Sequence, residues 1–200
     1  MRKRKASKPK RLRPEATANG QGAMKKRRHV LVIGPTCGGK THLAGYFEKR
    51  GKVAFDCDSF PGLARTVDLE GNPKEPTAKE WRTWSGIKWV WNREKIEELL
   101  AANPEAYLFG TADNMYEFKS LFDELYYLDI GRELILKRLR SKARENRFGR
   151  FPKQRERVLN TLDYFAADAK KHGFRFIDAS LSPAEIFRMI CGRSRASGES

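Results

Sequence analysis

Gly34-Pro35-Thr36-Cys37-Gly38-Gly39-Lys40-Thr41 fits the pattern GxxxxGK[ST] and sits where that pattern has a mechanism. Before it, His29-Val30-Leu31-Val32-Ile33 is a short apolar run that reads as a buried parallel strand. After it, Thr41 to Arg50 reads as a helix closed by Gly51. Glycines let backbone N–H groups turn inward around phosphate oxygens, and the helix N-terminus adds its partial positive charge. Lys40 is positioned to reach the outer phosphates of a nucleotide, and the Thr41 hydroxyl to hold Mg²⁺. The expected ligand is therefore ATP with Mg²⁺, cradled by Gly34, Pro35, Thr36, Cys37, Gly38, Gly39, Lys40 and Thr41.

Downstream, Lys52 to Cys57 reads as a second strand and ends in Asp56-Cys57-Asp58. In an open parallel sheet the reactive crevice lies beyond the carboxyl ends of the strands. Two carboxylates at i and i+2 there can share it: Asp56 as a partner of the metal, Asp58 to orient or deprotonate an acceptor hydroxyl. No NKxD base-reading motif follows, so a switch GTPase is excluded. Asp123-Glu124 is preceded by a poor strand and does not make the acidic strand end of a ring ATPase.

The remaining elements follow from periodicity. Residues 58–86 contain Gly62, Gly71, Pro73 and Pro76 and read as mostly loop with short helices. Helices are expected at 93–102, 132–143, 153–172 and 183–191, and strands at 106–109, 125–130 and 174–177. Five short strands alternating with helices indicate an α/β sandwich around a parallel sheet. Trp81, Trp84, Trp89 and Trp91 crowd one stretch beside Lys79, Arg82, Lys88 and Arg93. They would pack a small irregular region at about 59–92, or stack a base in it. Leu139 to Arg150 reads LRSKARENRFGR. It is expected to form a lid over about 139–153, hinged at Phe148-Gly149, whose arginines (Arg140 and Arg144 first) close on phosphates.

Charge divides the chain of 200 residues. Residues 1–28 carry twelve Lys and Arg against one acid, Glu15, a net +11; the remainder carries 29 basic and 24 acidic groups, a net +5. The arm holds almost nothing to bury and is expected to be disordered, like the polar tail 193–200. Any nucleic-acid contact by the arm is expected to be weak, non-specific and steeply salt-dependent. Met24 precedes Lys25-Lys26-Arg27-Arg28 and the first strand, so residues 1–23 read as a dispensable extension or a misplaced start. Three scattered cysteines make no disulfide frame and no zinc site, no apolar run approaches a membrane span, and the basic N-terminus leads into no signal sequence. The expectation is a reduced, cytoplasmic protein.

The phosphate loop, the DxD at the second strand, the arginine-rich stretch and Ile177-Asp178-Ala179-Ser180 before a helix resemble the P-loop small-molecule kinases, the superfamily of adenylate and shikimate kinases. Lys88-Trp89-Val90-Trp91, Phe109-Gly110-Thr111-Ala112-Asp113-Asn114 and Phe148-Gly149-Arg150 are similar to an uncharacterised bacterial ATP-binding branch. The resemblance spans about residues 29–191 and implies the P-loop NTPase fold: a three-layer sandwich with a five-stranded parallel sheet in the order 2-3-1-4-5. It also implies that Asp178, Ala179 and Ser180 lie near adenine, and that the chain transfers phosphate from Mg-ATP to a nucleotide, nucleoside or small hydroxylated metabolite. Two departures stand out: no acid directly follows the apolar run ending at Phe109, and DGxPR is absent. The rival readings are an ATP-hydrolysing regulator without an acceptor, and a nucleic-acid-binding protein with a secondary ATP site.

Overall fold

A computed structural model of the chain describes residues 27–141, 148–149 and 151–192. The basic arm up to residue 26, Arg144 and the tail 193–200 lie outside the described residues.

The apolar run forms β1 (Arg28–Ile33), with Val30, Leu31, Val32 and Ile33 fully buried. Such a continuous apolar strand is stable only with both faces covered. β1 is flanked in parallel by β5 (Glu105–Phe109) and β6 (Glu124–Asp129), with Val32 opposite Phe109 and Tyr126. Outside them lie β2 (Ala54–Asp56) on β5 and β7 (Arg175–Asp178) on β6, also parallel. The sheet order is β2-β5-β1-β6-β7, in place of the expected 2-3-1-4-5. The labels differ because two strands of a separate sheet, absent from the sequence reading, intervene along the chain: β3 (Ala64–Val67) and β4 (Lys88–Trp91), paired antiparallel.

One face of the large sheet presents Val30, Val32, Tyr107, Phe109 and Leu128. It is covered by α1 (Lys40–Lys49), α4 (Arg132–Arg140) and α7 (Pro183–Cys191), through side chains such as Leu43, Phe47, Ile135 and Ile186. Phe47 meets the rings of Tyr107, Phe109 and Phe187 at 4.8–5.1 Å between centroids. The other face presents Leu31, Ile33 and Leu108 to α3 (Arg93–Ala102), to a short 3-10 helix (Met115–Leu121) and to Trp91. Each fully buried aliphatic or aromatic side chain contributes roughly 1.5–3 kcal/mol, so the three layers hold because both stripes of β1 are sealed.

The helix expected over 153–172 is two, α5 (Pro152–Asn160) and α6 (Leu162–Lys171). The Thr161 hydroxyl between them donates back to the Arg157 carbonyl at 2.8 Å, a bond that competes with the helix ladder and bends it. In residues 58–86, read as mostly loop, lie β3 and α2 (Ala78–Thr83). α2 starts on a capping box in which Thr77 and Glu80 satisfy each other's backbone N–H groups.

Candidate functional site

The loop after β1 takes the shape its glycines permit. Gly39, at φ 98°, lies in the left-handed region and turns the chain directly into α1. No side chain caps α1, so its first backbone N–H groups are left for a ligand. Gly34 must be glycine for another reason: a Cβ there would lie 2.9 Å from the Leu128 Cβ and 3.0 Å from the Leu128 carbonyl on β6. The loop is thus pressed onto the sheet edge.

Lys40 is buried, and its ammonium donates to the carbonyls of Gly34 at 2.7 Å and Pro35 at 3.0 Å. Burial lowers its pKa, while the charges of Asp58 and Asp56 pull it back up. The Gly34 carbonyl also accepts the Thr111 hydroxyl, from the loop that follows β5. Thr111 occupies the strand end where the sequence lacks an acid, and its work there is to pin the phosphate loop.

Asp56 ends β2, and its Oδ1 accepts the backbone N–H of Asp58 at 3.1 Å. Thr41 and Asp56 line one cleft of about 280 Å³ together with Gly45, Glu48, Phe55 and Phe60. The two proposed metal partners therefore share a space; Asp58 does not line it. The Asp58 side chain reaches solvent, yet the protein crowded around it raises its pKa, and Asp56 adds to the rise. Lys40 and the Trp89 indole, which donates to Asp58 Oδ1 at 3.1 Å, act in the opposite direction. Between the two acids, burial pushes the Cys57 thiol well up, so it is held as a neutral packing group.

Asp178 ends β7, and its Oδ1 accepts the Ser180 backbone N–H at 2.8 Å. Ala179 is buried and hydrogen-bonded through its N–H to the Asp129 carbonyl at 2.7 Å. The link from this turn to the phosphate loop is Arg138, which donates to the Cys37 carbonyl at 2.9 Å and the Ala179 carbonyl at 3.0 Å. Arg140, expected from the sequence as a lid arginine, is exposed at the end of α4. The helical period held the signal: Ile135 and Leu139 face inward, Arg138 lies within one turn of that stripe, and Arg140 points away from it.

The tryptophan-rich region turns out to be built mainly by side-chain-to-backbone bonds. Trp89 N–H donates to Asp113 Oδ2 and Asp113 N–H to the Trp89 carbonyl, both at 2.7 Å. Asn114 accepts from Trp91 N–H at 2.9 Å and donates to the Trp91 carbonyl at 3.1 Å. The loop after β5 thus acts as a substitute strand for β4, and Trp91 packs beneath it on Phe118. Trp81 and Trp84 form a separate group with Phe148. Gln154, fully buried, accepts from Gly149 N–H at 2.8 Å and donates to the Trp81 carbonyl at 2.6 Å. The segment expected to be a lid is therefore joined to α2 where it is described.

A second cavity, of about 320 Å³ at the end of β6, is lined by Tyr127, Asp129, Arg132 and Asp163 and holds none of the expected site residues. Among the described residues no group of three His, Cys, Asp or Glu side chains could hold a metal, and no helix is long and apolar enough to cross a membrane.

No protein-family model and no curated protein sequence matches the chain. Among solved structures it is similar to a deoxyadenosine kinase from M. mycoides with bound dATP, at 12% identity and a TM-score of 0.49, over 82% of this chain and 98% of that one. It is similar to the same enzyme with bound dCTP, at 11% identity and a TM-score of 0.45, over 82% and 97% of the two chains. It is also similar to a sugar kinase from a Janibacter species, at 19% identity and a TM-score of 0.45, over 83% and 93%. At TM-scores below 0.5 these likenesses are loose.

Proposed function

We propose that this chain is a phosphotransferase that uses Mg-ATP and a small-molecule acceptor. The observation that carries the reading is Lys40: a buried ammonium, folded onto the carbonyls of its own glycine loop, with two carboxylates acting on it at the carboxyl edge of a parallel sheet. A lysine buried there at a desolvation cost needs a recurrent anionic partner. Phosphate oxygens entering the loop would take the ammonium from Gly34 and Pro35.

The donor set fits Mg²⁺. A hydroxyl and a carboxylate, Thr41 and Asp56, face one cleft, and Mg²⁺ is ordinarily held by one or two protein oxygens together with substrate phosphates. When bound, the ion would neutralise charge that develops on the transferring phosphoryl group. Asp58 would receive the acceptor. The turn Asp178–Ser180, tied to the phosphate loop through Arg138, would flank the nucleoside end of ATP, as the family resemblance implies. Arg140, and Arg144 outside the described residues, would add charge over the phosphates. Any contact of the basic arm with nucleic acid remains secondary in this reading.

The test is ADP formation from Mg-ATP, with and without a panel of nucleosides, nucleotides and hydroxylated metabolites. A phosphotransferase turns over faster with the right acceptor, whereas a regulatory ATPase does not respond. Lys40→Ala is expected to lower turnover by about 10³-fold, because it removes a preorganised charge from the transferring group. Turnover that survives both Lys40→Ala and Asp58→Asn overturns the proposal.

A further inference from the structure

The cavity of about 320 Å³ at the end of β6 stands apart from the phosphate loop, and its acidic and phenolic groups lack partners. Tyr127 is 2% exposed, with its ring sealed against Phe176 at 4.9 Å between centroids. It lines the cavity, and its hydroxyl makes no hydrogen bond with the described residues. A phenol that has lost its water ordinarily finds such a partner, because an unsatisfied hydroxyl is costly. Asp129, ending β6, and Asp163, in the first turn of α6, line the same space. Burial raises the Tyr127 pKa, and the charges of both aspartates raise it further, so both carboxylates act on that hydroxyl. Neither has an ion pair or a side-chain hydrogen bond among the described residues.

The lining decides the ligand class. Arg132 is the one basic side chain in it, and its Nη1 donates to the Leu159 carbonyl at 3.3 Å and not to either aspartate. Two carboxylates against one cation leave the cavity net negative, while Ile130 and Leu162 supply an apolar wall. A bare metal ion fits poorly: Mg²⁺ and Ca²⁺ take about six to eight oxygens, and among the described residues no third His, Cys, Asp or Glu joins this pair. An ammonium group fits well. It carries three N–H donors, and the two carboxylates with the phenol oxygen offer as many acceptors. An alkyl stem then lies along Ile130 and Leu162, out of water.

We propose that this cavity binds a small alkylammonium compound, of the primary amine or polyamine class, with its ammonium among Tyr127, Asp129 and Asp163 and its methylenes against Ile130 and Leu162. The site shares no residue with the phosphate loop or with Asp56 and Asp58, and it stands or falls independently of phosphoryl transfer.

The experiment titrates the full chain with putrescine and, in parallel, with 1,4-butanediol, which has the same carbon stem and no charge, at about 0.15 M salt. Calorimetry is expected to show saturable putrescine binding, about tenfold or more tighter than that of the diol. Asp163→Asn is expected to weaken it about tenfold, and Tyr127→Phe, which keeps the ring, about threefold. Glu94→Gln removes an exposed acid on α3 that does not line the cavity, and is expected to change nothing. Should Tyr127→Phe fail to fold, Asp163→Asn at its exposed position still decides. The absence of saturable putrescine binding overturns the proposal, including the case in which a side chain from residues 142–147 or 150 already fills the cavity. So does equal binding of the diol, binding unchanged by Asp163→Asn, or an equal loss in Glu94→Gln, which would mark a general attraction of polyamine to acidic surface.

Discussion

The phosphate loop and the tryptophan-rich region are both pressed against the carboxyl edge of the same sheet, yet they are built in opposite ways. The loop is local. Eight consecutive residues supply the turn, the exposed N–H groups and the charge, and outside contacts with Thr111 and Arg138 fix it to the frame. The tryptophan-rich region is assembled from a distance. β3 and β4 are more than twenty residues apart along the chain, and the backbone N–H groups of Trp89 and Trp91 on β4 donate to the side chains of Asp113 and Asn114, which belong to another loop. A site half made in each way should answer mutation differently on its two sides.

The largest effect short of removing Lys40 is expected on the local side. Gly34→Ala sets a methyl group against the β6 backbone, and overpacking of this kind costs about 3 kcal/mol. Thermal denaturation and Mg-ATP titration should fall together, because the same carbonyl holds Lys40. A variant with normal nucleotide affinity and lowered stability would separate the loop's shape from its function and break the contrast.

On the distant side, Asn114→Ala leaves the Trp91 N–H and carbonyl without their side-chain partner. With Trp91 almost fully buried, the cost is about 2 kcal/mol of stability. Acceptor saturation should weaken while Mg-ATP binding stays as it was. If nucleotide binding is lost as well, the two sides are one cooperative unit.

The tryptophan-rich region was also the less legible in the sequence, for a physical reason. Glycine spacing, an apolar strand and a helix start are signals carried by neighbours, so Gly34 to Thr41 could be read directly. Asp113 and Asn114 look like loop residues of no special kind until the strand they replace is seen beside them. Thr77-Ala78-Lys79-Glu80 did carry a capping-box pattern, overshadowed by Pro73 and Pro76. Arg138 is legible through the inward stripe of α4, beside Ile135 and Leu139. The split of the long helix at Thr161 rests on a hydroxyl whose direction the sequence does not fix.

Smaller effects sharpen the contrast through pH. If Asp58 is the base, as proposed, it must be ionised, and its pKa is raised, so the acid limb of kcat/KM should lie above the ordinary aspartate value near 4. Trp89→Phe removes a hydrogen bond that lowers it, and the limb should move further toward neutral pH. A limb that does not move would remove Asp58, or its contact with Trp89, from the rate-determining step.

The mildest expectation concerns Glu80, whose pKa is depressed to about 2 by Lys74 and Thr77. The sign follows from the depression: its contribution is present above the free-glutamate value and is lost as pH falls through about 2. Tryptophan emission from Trp81 and Trp84 should change over that range, before far-UV ellipticity reports loss of the sheet. Simultaneous transitions would mean that α2 has no local stability of its own.

Gln154 has a consequence for modularity. Its amide accepts from one segment and donates to another, so a glutamate there would lose the donor and face the Trp81 carbonyl with a charge. Under the proposed function, residues 59–92 are an insertion that could be exchanged as a cassette for another acceptor preference. They could not travel alone. Gln154 would have to travel with α2, and Asp113 with Asn114 would have to travel with β4, so a graft cut at the visible boundaries would leave both seams unbonded.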